Sequence, residues 1–322
     1  DHEALANFIM EQVRNMTADS SRTLHASLAG GRKTMTFYMG YAMSLFGRVQ
    51  DTLSHVLISE GFEGLPDFWF PTTAKAHRQL DNRGQKLDAA NAQVTLASIP
   101  FIRHRQALPT VLLQNRANLD FAQLVRLINL GEKPEEIFLT LDLLDRSVVV
   151  SDAQGCRHAE IRLGELELPF YAMVVRASKK QLVTLNRPAK DEPETFLSDL
   201  FLNEMLPIWR LQAHTTGADA KNRQENIHAL VDCDRLNLKA STQQTLENGI
   251  TYKFFDQRIN TIKESFNEHL PKAVSRWLVP ASVWEETESE TRRLPLERVD
   301  NTNKGGGYGI FLDAANITIK DA

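Results

Sequence analysis

Thr23-Leu-His-Ala-Ser-Leu-Ala-Gly-Gly-Arg-Lys-Thr-Met35 reads as a buried strand that stops at two glycines and opens a helix with two cations. At such a junction the first helical N–H groups have no partner inside the helix, and the aligned peptide dipoles leave a partial positive charge there. That geometry suits a phosphate. Gly30 and Gly31 let backbone come close to a ligand, Arg32 offers a planar fork and Lys33 a mobile point charge. A tight turn with merely solvated cations gives the same pattern, since glycine-rich turns of this kind are common in α/β folds. The pattern Gly-x-x-x-x-Gly-Lys-Ser/Thr is absent, because Arg32 stands where its second glycine would be, so a nucleoside triphosphate is not the first expectation.

On the C-terminal side, Met35 to Phe46 is apolar almost all round, as expected of a helix pressed between a sheet and another surface, and Gly47 ends it. A second strand follows over Leu53 to Ser59, and Glu60 to Pro71 carries the chain off as an aromatic-rich loop. On the N-terminal side, Ala4, Leu5, Phe8, Ile9 and Val13 repeat at helical spacing.

The 322 residues fit about two domains by ordinary domain sizes. With 37 basic and 41 acidic residues the chain is not a bulk polyanion binder, though a local basic site remains open. Cys156 and Cys233 are too few and too far apart for a disulfide framework, which fits a reducing cytoplasm. No apolar run reaches membrane-spanning length, and no membrane partner is expected.

Beyond Arg103 the texture changes. Phe121, Leu124, Val125, Ile128 and Leu130 fall on one side of a helix that Gly131 closes, which reads as a connector. Ile137 to Leu144 and Ser147 to Leu163 then read as strands, with a hairpin turn at Gln154-Gly155. Helical patterns follow over 166–180 and 194–212, then a polar stretch, then a helix over 252–270. The chain closes with Gly305-Gly-Gly-Tyr-Gly-Ile-Phe-Leu312, a short strand behind a glycine-rich wing.

Four blocks carry a family resemblance: Ser27-Leu-Ala-Gly-Gly-Arg-Lys-Thr-Met35, Phe46-Gly-Arg-Val-Gln-Asp-Thr-Leu-Ser-His-Val-Leu57, Phe62-Glu-Gly-Leu-Pro-Asp-Phe-Trp-Phe-Pro71 and Val94-Thr-Leu-Ala-Ser-Ile-Pro-Phe-Ile-Arg103. Together they cover the first third of the chain. They resemble the CRISPR-associated ring nucleases of the CARF class, Rossmann-like dimers that bind and cut cyclic tetra-adenylate, the second messenger of type III CRISPR defence. Members of that family open with a strand and a Gly/Ser-containing loop that supplies a serine. This chain opens inside a helix, so it is expected to be a fragment lacking those first strand–helix units, and no serine is carried over.

The order of hairpin, helices, Arg258-Ile-Asn-x-x-Lys and Gly-Gly-Tyr strand is similar to the winged-helix domains of response regulators, and the same order occurs as a C-terminal extension of the ring-nuclease family. The expected fold class is therefore α/β: an incomplete Rossmann-like (CARF) domain over 1–115, a helical connector over 116–136 and an α+β winged helix-turn-helix-like domain over 137–322. Lys253, Arg258 and Lys263 would face DNA, but Asp256, Glu264 and Glu268 sit among them and repel phosphate, which favours a structural or dimerising role over DNA contact.

The resemblance implies cleavage without a metal, a cofactor or a protein nucleophile: a ribose 2′-hydroxyl attacks its own 3′-phosphate and leaves a 2′,3′-cyclic phosphate end. Lys33 and then Arg32 are the expected catalytic cations, with Ser27, Gly30, Gly31 and Thr34 holding the phosphate. Glu60 and Glu63 stand where ligands gather in open α/β sheets, as an acid/base pair or, with Asp67, as mere shapers of the loop. Phe62, Phe68 and Trp69 either stack on adenine or cover the core. A symmetric ring predicts a homodimer, with the helix after the turn at its interface. A ligand-sensing regulator that passes its signal to DNA or a partner without cutting the ring is the alternative.

His25, His55, His77 and His104 lack metal-ligand spacing, and His25 and His55 fall on strands expected to be buried. Cys156 and His158 lie at the hairpin turn as two donors, too few for zinc, and no metal is assigned.

Overall fold

The computed structural model describes residues 2–63, 65, 68, 70, 71, 78–80, 84, 86–114, 116, 118–180, 185–212, 219–283 and 307–322. The chain divides into two compact units, Asp1–Leu108 and Pro109–Ala322.

In the first unit, α1 (His2–Ala18) buries Ala6, Ile9, Met10 and Val13, the helically spaced stripe that makes it amphipathic. It packs on α2 (Lys33–Phe46), which buries Ala42, Met43, Leu45 and Phe46. Strand β1 (His25–Ser27) runs parallel to β2 (Thr52–Ile58), with α2 as the crossover between them. Strands β3 (Arg78–Leu80) and β4 (Lys86–Asp88) pair antiparallel with each other, and β5 (Val94–Ser98) pairs antiparallel with β2, giving the order β1-β2-β5. Gly47 closes α2 at an ordinary φ of −60°. It is glycine for space, because a Cβ there would lie 2.9 Å from the Phe101 ring.

Two expectations of burial change here. Ala26 is buried, but His25 and Ser27 face solvent, because β1 ends the described sheet and only its inward residue meets the helices. Likewise α2, apolar nearly all round, buries only its C-terminal half; Phe37 and Tyr41 are 62% and 43% exposed and meet edge to face at 4.7 Å.

The unit is pinned at Asp51, which is fully buried. Its Oδ1 accepts from the Leu24 N–H at 2.9 Å and from Arg48 Nη2 at 2.9 Å, and its Oδ2 accepts from the Arg48 N–H at 2.8 Å and Arg48 Nε at 2.9 Å. Arg48 goes on to donate to the carbonyls of Asp19 and Arg22, while Arg103 donates to those of Arg48 and Asp51. One carboxylate thereby ties the entry to β1, the exit of α2 and the start of β2. Burial pushes the Asp51 carboxyl up, but the Arg48 side chain and the N–H groups of Leu24 and Arg48 outweigh it and hold the pKa at about 2.

In the second unit, α3 (Thr110–Leu113) and α4 (Phe121–Leu130) come first. Asp120 and Gln123 form a capping box at the start of α4, the helix read as a connector, and it packs against a later helix of the same unit. Strand β6 (Phe138–Asp142) pairs antiparallel with β7 (Ser147–Ser151) and so extends to a meander the expected hairpin of β7 and β8 (Arg157–Ile161). Helices α5 (Glu167–Lys179), α6 (Thr195–Ile208), α7 (Ala220–Val231), α8 (Ala240–Asn248), α9 (Tyr252–His269) and α10 (Lys272–Leu278) follow. The short pair β9 (Ala281–Val283) and β10 (Gly307–Gly309) comes next, antiparallel, and β11 (Ile317–Lys320) ends the unit. The glycine-rich wing at Gly305 and Gly306 lies outside the described residues.

Helix α5 is the centre of this unit. Phe170, Tyr171, Ala172, Val174 and Val175 are fully buried, the Tyr171 hydroxyl donates to the Leu278 carbonyl at 2.9 Å, and Phe170 meets Phe255 of α9 edge to face at 5.0 Å. Several elements were not read from the sequence, among them α7, α8 and β11. The polar stretch holds α7 and α8; Asp219 caps α7 through the Lys221 N–H, and Arg223 reaches Asp199 of α6 at 2.7 Å. Strand β11 joins the meander by pairing parallel with β6, for the order β11-β6-β7-β8. Asn316 Nδ2 anchors its entry by donating to the carbonyls of Glu135 and Ile137. No described helix is long and apolar enough to cross a membrane.

Replacing Arg48 by alanine leaves the Asp51 charge buried and unpaired, and the expected loss of stability is about 3–5 kcal/mol, read from urea unfolding of the first unit. The stabilisation from Asp51 follows its depressed pKa. It is whole above the ordinary carboxylate value of 3.8 and drains away as pH falls through about 2, so acid titration of wild type should show a loss in that window that Asp51→Asn lacks.

Candidate functional site

The Gly-Gly turn joins β1 to α2. Strand β1 ends at Ser27, whose Oγ accepts from the Ala29 N–H at 3.2 Å, and the Leu28 N–H holds the turn to the Ser54 carbonyl at 2.7 Å. Gly30 and Gly31 then take φ of +87° and +77°, and Arg32 occupies the N-cap position of α2 in an extended conformation. No side chain caps this end, and no acidic residue lies in the first turn. The N–H groups of Lys33 and Thr34 therefore face outward from the positive end of a helix.

The two glycines differ in purpose. A Cβ on Gly30 would meet nothing within 4 Å, so glycine is there for its backbone conformation alone, while on Gly31 a Cβ would also stand 3.1 Å from Met35 Sδ. Arg32, Lys33 and Thr34 are all exposed. Among the described residues no carboxylate pairs with Arg32 or Lys33, in contrast to Arg48, Arg187, Arg223 and Arg258, each of which holds an acid. Two free cations on a turn without internal neutralisation are suited to an external anion.

The structure unites Ser27, Gly30, Gly31, Arg32, Lys33 and Thr34 in one turn. Glu60 and Phe62 belong elsewhere along the sheet. Ser27 pairs with Ser54, and β2 continues four residues further to Ile58, a rise of about 13 Å before the loop holding Glu60 even begins. Glu60 is exposed, whereas Phe62 is buried with its ring 5.4 Å from that of Phe68. Glu63 is exposed, and Asp67 and Trp69 lie outside the described residues.

His25 gains significance from the fold. Its Nε2 lies 2.6 Å from the Oγ of buried Ser54, on the strand that leads into the turn. The alternation of β1 places His25 and Ser27 on one face, a signal readable as period-2 spacing once the strand is granted. His55 keeps a buried Nδ1 without a hydrogen-bond partner among the described residues.

The residues read as a DNA-facing helix are arranged differently. Arg258 is buried, pairs with Glu167 at 2.9 Å and lies over the Phe254 ring at 5.1 Å, while Asp256 is clamped by two 2.6 Å hydrogen bonds from Arg187. The exposed charges of α9 are Lys253 and Lys263, balanced by Glu264 and Glu268.

Residues 1–130 match the family model described as CRISPR-associated protein NE0113, a match that takes in the whole first unit and ends with α4. It covers less than half of the chain and supports a CRISPR-associated relationship for that portion. No curated protein and no solved structure matches the chain.

Alanine at Gly30 forces an L-residue into left-handed backbone at a cost of about 1–2 kcal/mol. Lys33→Ala touches an exposed, unpaired side chain and should stay within about 0.5 kcal/mol of wild type. Thermal unfolding of the two variants side by side checks this separation of a conformational role from a chemical one.

Proposed function

We propose that this protein is a ring nuclease that binds cyclic tetra-adenylate and cuts it without a metal, so switching off a type III CRISPR signal. The observation that carries the reading is the pair of unneutralised cations at the uncapped start of α2, set directly behind two glycines at positive φ. The CRISPR-associated match over residues 1–130 adds support by including that turn.

In this reading a ribose 2′-hydroxyl attacks the neighbouring 3′-phosphate in line. The bond from phosphorus to the 5′-oxygen of the next nucleotide breaks, leaving a 2′,3′-cyclic phosphate on one end and a 5′-hydroxyl on the other, with the proton of the attacking hydroxyl passing to the leaving oxygen by way of solvent. Lys33 and Arg32 stabilise the charge that gathers on the phosphorane oxygens, and the N–H groups after Gly31 hold the phosphate in place. Ser27 and Thr34 orient it. Two copies of the turn facing each other across a two-fold axis match the symmetry of the ring, and exposed Phe37 and Tyr41 on α2 offer apolar surface for that contact.

A sensor that binds the ring and acts through its second unit is the other reading. It draws on the size of that unit, but the balanced charge on the exposed side of α9 counts against a DNA target.

Incubation with cyclic tetra-adenylate in EDTA, followed by mass spectrometry, separates the readings. Linear product with a 2′,3′-cyclic phosphate supports the nuclease; intact ring with tight binding supports the sensor; absence of binding defeats both. Lys33→Ala is expected to lower kcat by about 10²-fold or more, in the range seen when one oxyanion donor is removed, with binding changed only severalfold. Equal losses in both would make Lys33 a binding residue alone.

A further inference from the structure

Folding of the β7–β8 hairpin adds a third donor to the two that the sequence places at its turn. Asp152 joins Cys156 and His158, and one ligand atom from each lies within 4.8 Å of the others. Asp152 and His158 are buried, and the His158 side chain has no exposed surface. The carboxylate divides its work. Oδ1 accepts from the N–H groups of Gln154 and Cys156, which fixes the turn, while Oδ2 is free of backbone and lies 2.9 Å from His158 Nε2.

We propose that this hairpin is a binding site for a divalent transition metal of the zinc type, with Asp152 Oδ2, Cys156 Sγ and His158 Nε2 as its ligands and a fourth position open to solvent or a further ligand. The mixed oxygen, sulfur and nitrogen set favours zinc-like ions over magnesium or calcium, which prefer oxygen alone. Tetrahedral zinc with bonds of 2.0–2.3 Å separates its ligand atoms by about 3.3–3.6 Å. The Asp152–His158 pair therefore opens by about 0.4 Å to admit the ion.

A second observation lies on the far side of the ring. His158 Nδ1 is buried without a hydrogen-bond partner among the described residues, and His158 lines a cavity of about 400 Å³ together with Val111, Arg116, Glu160, Glu268 and His269. A ligating histidine carries its proton on the nitrogen away from the metal and donates it to a polar group or water. Binding at Nε2 moves the ring proton to Nδ1, the nitrogen that has no hydrogen-bond partner among the described residues. The Cys156 thiol proton passes to solvent, and the thiolate takes its place at the metal.

The test uses the full chain, stripped with a chelator and titrated with Co²⁺. One equivalent should produce a thiolate-to-cobalt charge-transfer band that Zn²⁺ then bleaches. Cys156→Ser should abolish the band and Asp152→Asn should weaken binding at least tenfold, whereas Cys233→Ser should leave both unchanged. X-ray absorption of the zinc-loaded wild type should show one sulfur at about 2.3 Å beside nitrogen and oxygen at about 2.0–2.1 Å, a readout that does not depend on any variant folding. Lack of stoichiometric binding, a metal shell without sulfur, or a band lost in Cys233→Ser and kept in Cys156→Ser would overturn the proposal.

Discussion

The first unit is organised around the hydrogen-bonded pair of Arg48 and Asp51. A fully buried carboxylate is tolerated only when its oxygens are satisfied, and here four hydrogen bonds reach it, three of them from Arg48 itself. The fourth, from Leu24, binds the start of β1 to the loop before β2, so parallel pairing of the two strands and the position of α2 are set together. The candidate site inherits its geometry from this point, because the Gly-Gly turn hangs between a strand and a helix that the pair holds at their far ends.

That arrangement distributes the arginines by task. Arg48 and Arg103 spend their donors on backbone carbonyls and on Asp51, and Arg105 donates to the Phe46 carbonyl. Among the described residues Arg32 and Lys33 have no such engagement. The cations that hold the fold are engaged by Asp51 or by backbone carbonyls, whereas those of the turn are exposed and, among the described residues, meet no carboxylate, which is the contrast on which the proposed chemistry rests. The same sorting operates in the second unit, where Arg223 and Arg258 each close an ion pair between helices, and Arg258 is thereby withdrawn from the outer side of α9.

Much of this was legible in the residues. The strand, glycine pair and helix of the turn, the second strand, and the hairpin turning at Gln154-Gly155 follow from periodicity and turn chemistry, which act over a few neighbouring residues. Gly30 and Gly31 were read as places where backbone can come close to a ligand, and their positive φ values came with the structure. The helices α7 and α8 escaped because their apolar residues are sparse; both pack on α6, and Asp219 caps α7. Phe62 was offered equally as a stacking platform or as core, and its burial against Phe68 became visible only in three dimensions.

By itself the sequence determined the order of many local elements, the two glycines and two cations of the turn and the alternation that gives each strand two faces. The tertiary structure alone decided that β11 lies beside β6, some 180 positions away in the chain, that Arg258 turns inward to Glu167, and that Asp152 completes a cluster with Cys156 and His158. The physical reason is range. Backbone propensity and capping are settled within a turn or two of chain, whereas the partner of a buried charge is chosen by which distant segments the core brings together, and no spacing in the sequence encodes that choice.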